Sequence, residues 1–166
     1  MFMAKMLKEG DAVPDVTLQG PGGAPVRLRD LLGDKAMVIY FYPRDDSPGC
    51  TVQACSLRDQ YQDFTDAGAD VVGISSDSAE SHEKFVAKYR LPFRLLSDPD
   101  GAARKAFGVG TNFLGLLPGR VTFVADKGGT IRYAFDSQIQ VKKHAEHALD
   151  VVRSLTGQGA APTRPA

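Results

Sequence analysis

The spacing of apolar positions divides the chain into short segments of alternating type. Val16-Thr17-Leu18 and Val26-Arg27-Leu28 flank Gln19-Gly20-Pro21-Gly22-Gly23-Ala24-Pro25, which reads as two strands about a tight turn. Asp30 suits the N-cap of a short helix at Leu31 and Leu32, with Gly33 as its stop. Ala36 to Tyr42 is almost wholly apolar, the signature of a strand covered on both faces. From Cys50 to about Ala67 the pattern turns helical, with Leu57, Tyr61 and Phe64 on one face and Gly68 at the end. Val71 to Ser75 reads as a second buried strand, and Ser81 to Tyr89 as a helix capped by Ser81. A short strand at Phe93–Leu96 and a helix over Ala102–Phe107 ended by Gly108 follow. Val121–Val124 and Thr130–Phe135 flank Asp126-Lys127-Gly128-Gly129, a hairpin signal. Val141 to Leu155 is amphipathic, with Val141, Ala145, Ala148, Leu149, Val152 and Leu155 facing inward.

Strands alternating with helices, then a hairpin and a last helix, predict a mixed α/β sandwich. Residues 1–156 are expected to form one domain, and the Gly-, Ala- and Pro-rich stretch 157–166 a flexible tail. Twenty basic residues balance twenty acidic ones, so the charge gives no reason to expect a nucleic-acid or anionic-membrane partner. No run of eighteen apolar residues predicts a membrane span. The opening residues lack the apolar core of a signal peptide, and two cysteines are too few for a secreted disulfide scaffold. A cytoplasmic setting is the resulting expectation.

Those two cysteines carry the candidate chemistry. Cys50 follows the apolar strand and a turn rich in Pro, Asp and Gly, which places it in the first turn of a helix. Unpaired N–H groups and the helix dipole favour a thiolate there, and the thiolate is the reactive form. Cys55 lies five residues on. In an ideal helix such a pair has Cα atoms about 8.7 Å apart, whereas a disulfide requires roughly 4.4–6.8 Å. On one helix the two can bond only if it locally unwinds. Spacing alone leaves two readings open: a redox pair with two local structures, or two inert cysteines serving as small hydrophobes.

Pro43-x-x-x-Ser47-x-x-Cys50 resembles the Pro-x-x-x-Thr/Ser-x-x-Cys motif of the peroxiredoxins. The longer run Phe41 to Thr51, with Cys55 beyond it, is similar to their Q-type branch, also called bacterioferritin comigratory protein. Gly10–Asp15, Leu91–Asp98 and Pro118–Val124 match as well, so the resemblance covers about residues 8 to 155. It implies a thioredoxin-like fold, a central mixed β-sheet flanked by helices with an N-terminal β-hairpin. It also implies a thiol peroxidase acting on hydrogen peroxide and organic hydroperoxides without metal or organic cofactor. Cys50 corresponds to the peroxidatic cysteine and Cys55 to the resolving one, joined in an intramolecular disulfide. Ser47 would hydrogen-bond thiolate and peroxide, and Arg120 would stabilise thiolate and developing oxyanion. Pro43 would shape and shield the pocket. The implied reductant is thioredoxin or a glutaredoxin system, and the implied state is a monomer.

The remaining polar residues read more plainly. Asp45 and Asp46 suit turn and capping duties. His144 and His147 suit a solvated helix face, with no third ligand for a metal. His82 has no assigned role, and Arg44 and Arg58 suit the surface. A disulfide oxidoreductase ordinarily uses Cys-x-x-Cys, which the five-residue spacing does not match. A binding module would use the apolar loop Phe113, Leu114, Leu116 and Leu117, read here as a pocket wall or lid.

Overall fold

A computed structural model describes residues 5–112 and 117–156. A seven-stranded mixed sheet has the order β2-β1-β5-β4-β3-β8-β9. Its strands are β1 (Thr17–Gln19), β2 (Pro25–Arg27), β3 (Ala36–Phe41), β4 (Ala69–Ser75), β5 (Arg94–Ser97), β8 (Val121–Ala125) and β9 (Ile131–Asp136). β3, β4 and β5 run parallel, while β8 pairs antiparallel with β3 and β9 with β8. The β1–β2 hairpin joins the far edge through β5. A separate pair, β6 (Thr111–Asn112) and β7 (Leu117–Pro118), closes the stretch before β8. The expected thioredoxin-like sheet and N-terminal hairpin are therefore present.

Every residue of β3 is buried, as its unbroken apolar run requires. Val38 and Tyr40 enter one core with Leu57, Phe64, Phe85 and Leu149. These come from α1 (Pro48–Asp59), α2 (Tyr61–Asp66), α3 (Ala79–Tyr89) and α5 (Val141–Thr156). Met37, Ile39 and Phe41 enter the other, against Phe107 of α4 (Ala102–Phe107), Leu18 and Phe123. The period-2 alternation of a strand thus sorts one apolar segment into two cores.

Local details differ from the sequence expectations. The helix expected from Cys50 to Ala67 breaks at Gln60 into α1 and α2. Asp30 does not cap a helix; it lies inside a 3-10 turn, Leu28–Leu31. The cap of α3 is Ser78, whose Oγ accepts from the Ser81 N–H. Phe113, Leu114 and Leu116 of the apolar loop, and the expected tail 157–166, lie outside the described residues. Among the described residues no helix is long and apolar enough to cross a membrane.

His144 is not on a solvated face. It is buried against the sheet, where its Nε2–H donates to the Ser137 carbonyl (2.8 Å) and its Nδ1 accepts from the Thr122 hydroxyl (2.7 Å). Helical spacing marked Ala145, Ala148 and Leu149 as inward, and His144 falls at the edge of the same stripe. His147 is half-buried and pairs with the Tyr133 hydroxyl at 3.0 Å. Burial pushes the His144 imidazole down from 6.5 to about 4, with the Arg120 charge acting in the same direction.

Between those values the unfolded chain holds a proton that the folded chain does not, so folding stability falls as pH drops from 6.5 towards 4. The full effect is about 3 kcal/mol. His144→Gln, which keeps a donor and an acceptor but cannot charge, is expected to flatten this limb in urea unfolding measured across that range.

Candidate active site

Cys50 is the third residue of α1, after Pro48 and Gly49. Pro48 suits the first helical turn because its missing N–H would have no helical partner there. Cys50 is 1% exposed and packs with Tyr40, Tyr42 and Ala54 in the helix-side core. Cys55 is half-buried on the same unbroken helix, and both thiols are free. The helix therefore separates the sulfurs as the spacing predicted.

Arg120 immediately precedes β8 and is 4% exposed. A guanidinium out of water needs acceptors, since it cannot shed its charge. Its Nη1–H donates to Gln53 Oε1 (2.6 Å) and its Nε–H to the Gln138 carbonyl (3.1 Å). Its remaining edge lies against Gly49: a Cβ there would stand 3.0 Å from Nη2. The register Phe41↔Val121 brings the end of β3 beside the start of β8, so Arg120 meets the N-terminus of α1 across the sheet. The structure thus brings Arg120 next to the residue preceding Cys50.

Tyr40 completes this neighbourhood. Its ring lies across Gly73, its partner in register on β4; a Cβ on Gly73 would sit 2.7 Å from the ring. The Tyr40 hydroxyl is held well above its ordinary range, first by burial and then by its nearness to Cys50. Among the described residues, Tyr40 Oη and Gln53 Nε2 are buried without a hydrogen-bond partner. They are two spare polar groups on side chains that border Cys50 and Arg120, places where an oxygen-bearing ligand would find partners.

Pro43 is half-buried in the turn between β3 and α1. Ser47 is the N-cap residue of α1, and its carbonyl accepts from the Thr51 N–H (2.8 Å). Its hydroxyl donates to the Arg44 carbonyl at 2.9 Å, so here its proton is directed away from the cysteine and its lone pairs remain available. Arg104 of α4 ties the segments of Pro43 and Arg120 together. Its guanidinium donates to the carbonyls of Tyr42 (3.3 Å) and Gly119 (3.0 Å), the residues before Pro43 and Arg120. Arg58 is half-buried; it pairs with Asp59 and donates to the Tyr89 carbonyl.

Asp45 is no ordinary turn residue. It is buried, accepts from the Tyr42 hydroxyl (2.6 Å) and the Ser81 hydroxyl (2.7 Å), and lies 2.7 Å from His82 Nδ1. His82, unassigned by sequence, is buried as well. Gln53, Tyr40 and Arg104 were also missed. The only available signal for Gln53 was its position one turn after Cys50, and nothing local marked the other two.

The AhpC/TSA family model matches residues 9–134. The chain is 49% identical over 154 residues to chloroplastic peroxiredoxin Q of Sedum lineare, covering 93% of this chain and 82% of that protein. Among solved structures it is similar to peroxidoxin BcpB of Mycobacterium tuberculosis, with TM-score 0.83 and 38% identity over 90% of this chain and 98% of that one. It is also similar to the Xanthomonas campestris bacterioferritin comigratory protein, studied for alkyl peroxide reduction, with TM-score 0.78 and 34% identity over 88% and 99%. The cytoplasmic expectation does not stand against these relatives, because the Sedum protein and other plant relatives are chloroplastic. Cysteine count reports on disulfide usage and does not identify which compartment supplies the reducing power.

Gln53→Ala would leave a buried guanidinium short of its strongest acceptor. Urea unfolding is expected to show a loss of about 1–3 kcal/mol. Gly49→Ala, which crowds Nη2, is expected to slow reaction of Cys50 with peroxide about tenfold by displacing the charge. Timed quenching and thiol alkylation measure that rate.

Proposed function

The chain belongs to the AhpC/TSA family and to its Q-type peroxiredoxins, thiol peroxidases that act on peroxides, and from that premise we propose that Cys50 is the peroxidatic cysteine and Cys55 its resolving partner. The observation that carries this reading is a thiol in the first turn of α1 with the Arg120 guanidinium against the preceding glycine. The Cys50 thiolate attacks one oxygen of the peroxide. The O–O bond breaks, and its electron pair leaves with the other oxygen, which takes up a proton as water or an alcohol. Cys50 becomes a sulfenic acid.

Arg120 supplies positive charge for the thiolate and for the oxygen as it becomes negative. Ser47 offers a hydroxyl that accepts from a peroxide O–H and, once turned from Arg44, donates to sulfur. Pro43 covers the pocket with an apolar ring that has no N–H to satisfy. α1 then unwinds locally, the Cys55 thiol displaces water from the sulfenic acid, and an S–S bond forms. A dithiol reductant of the thioredoxin or glutaredoxin type returns two electrons and two protons. Organic hydroperoxides are included because the Xanthomonas relative is studied for alkyl peroxide reduction. One chain supplies both cysteines, Ser47, Arg120 and Pro43, so the steps up to the disulfide need only a monomer, and the reductant alone comes from outside.

Intact mass after one equivalent of hydrogen peroxide is expected to fall by the mass of two hydrogens, with both thiols protected from alkylation. Cys50→Ser is expected to abolish turnover. Cys55→Ser is expected to leave the first oxidation nearly unchanged, lose the disulfide, and accumulate over-oxidised Cys50. Turnover by Cys50→Ser, or thioredoxin-driven turnover by Cys55→Ser at the wild-type rate, would overturn the assignment.

A further inference from the structure

Beneath the Pro43–Ser47 turn lies a polar cluster that the peroxidase cycle does not use. Asp45 contributes a buried carboxylate and His82 of α3 a buried imidazole. The hydrogen bonds constrain where the protons lie. His82 Nε2 faces the Leu96 carbonyl at 3.0 Å; a carbonyl only accepts, so Nε2 carries a hydrogen. His82 Nδ1 lies 2.7 Å from Asp45 Oδ2, and two lone pairs cannot meet at that distance, so a proton sits between them. Asp45 already accepts from Tyr42 on one oxygen and Ser81 on the other, the pattern of an ionised carboxylate. That assigns the proton to nitrogen.

We propose that His82 is a positioning residue for the catalytic turn, held in the folded protein as an imidazolium that clamps Asp45 to α3 and β5. Two further bonds make the clamp rigid. The Asp45 N–H donates to Asp77 Oδ2 (2.8 Å), which also accepts from the hydroxyl of Ser75, the last residue of β4 (2.7 Å). Asp45 thereby joins the turn to β4, α3 and, through His82, β5. Pro43 and Ser47 lie two residues to either side of it. The neighbouring Asp46, at φ +60°, is held by Lys88 and Tyr89 of α3, so two successive turn residues are fastened to one helix.

Charges of both signs surround the ring, and the two nearest are carboxylates. Asp45 and Asp77 face the ring, and a carboxylate atom of each lies within 4.8 Å of a ring nitrogen. Glu83 of α3, Asp70 of β4 and Arg94 of β5 line the cleft that His82 also borders. Glu80 and Lys84 border the cleft beside Asp45. If the proton were lost, Nδ1 would oppose the carboxylate and the turn would lose its anchor to β5.

The protonation state is independent of the chemistry at Cys50, whereas the positioning role rests on the peroxidase reading. Ring-nitrogen NMR of the reduced full-length protein, over the pH range in which it reacts with peroxide, is expected to show His82 with both nitrogens protonated. In Asp45→Asn, whose amide can donate to Nδ1, His82 is expected to revert to the neutral Nε2–H form. His82→Gln is expected to slow oxidation of Cys50 by hydrogen peroxide about tenfold while circular dichroism stays unchanged. A neutral ring in the wild type, an unaltered cation in Asp45→Asn, or a wild-type rate in His82→Gln would overturn the proposal. So would a His82 shift that saturates with one equivalent of zinc, which would make the cluster a cation site. Should His82→Gln fail to fold, the wild-type and Asp45→Asn spectra still decide the protonation state. A wild-type protein whose Cys50 ignores peroxide would count against the peroxidase reading alone and leave those spectra unaffected.

Discussion

An arginine almost wholly removed from water dictates much of what surrounds it. The Arg120 charge cannot be relieved by losing a proton, so the fold must supply acceptors, and it draws them from distant parts of the chain. Gln53 comes from α1 and Gln138 from the connection between β9 and α5, while Gly49 makes room for the last edge of the guanidinium. The contacts with Gly49 and Gln53 bear directly on the start of α1, and so on the place of Cys50. The pairing of β3 with β8 makes this meeting geometrically inevitable, because Val121 sits opposite Phe41 at the end of both strands.

The same region is fastened from its other side. Arg104 grips the carbonyls ahead of Pro43 and Arg120, while Asp45 and Asp46 are tied to α3. The turn from Pro43 to Ser47 is therefore more firmly anchored than an ordinary surface loop. Against this rigid frame stands the helix between the two cysteines. It holds Cys50 inside the core and Cys55 at its margin, too far apart to bond while α1 persists. A frame that stays in place while one helical turn opens would let the sulfurs meet without dismantling the sheet.

Much of this was legible in the chain. The apolar run of β3, the hairpin around Gly128-Gly129 and the span of α4 follow from periodicity and turn chemistry, which are local properties. The positions of Ser47 and Cys50 at the start of a helix were legible for the same reason, since a motif compressed into one turn needs no tertiary information. The break at Gln60 was not, because both halves of the segment have helical composition. His144 was misread because one histidine looks the same on a wet face as on a dry one until its partners are known. Thr122 and Ser137, which satisfy it, lie on other segments.

The sequence by itself determined the alternation of strands and helices, the place of Cys50 in the first turn of a helix and the incompatibility of its spacing to Cys55 with a helical disulfide. All three depend on residues within one or two turns of each other, where backbone geometry is nearly universal. Only the tertiary structure decided that Gln53 holds Arg120, that Tyr40 and Arg104 border the site, and that Asp45 and His82 form a buried pair. Those are contacts between charged or polar groups far apart along the chain. Their strength comes from burial, and burial exists only once the sheet and its two cores have closed.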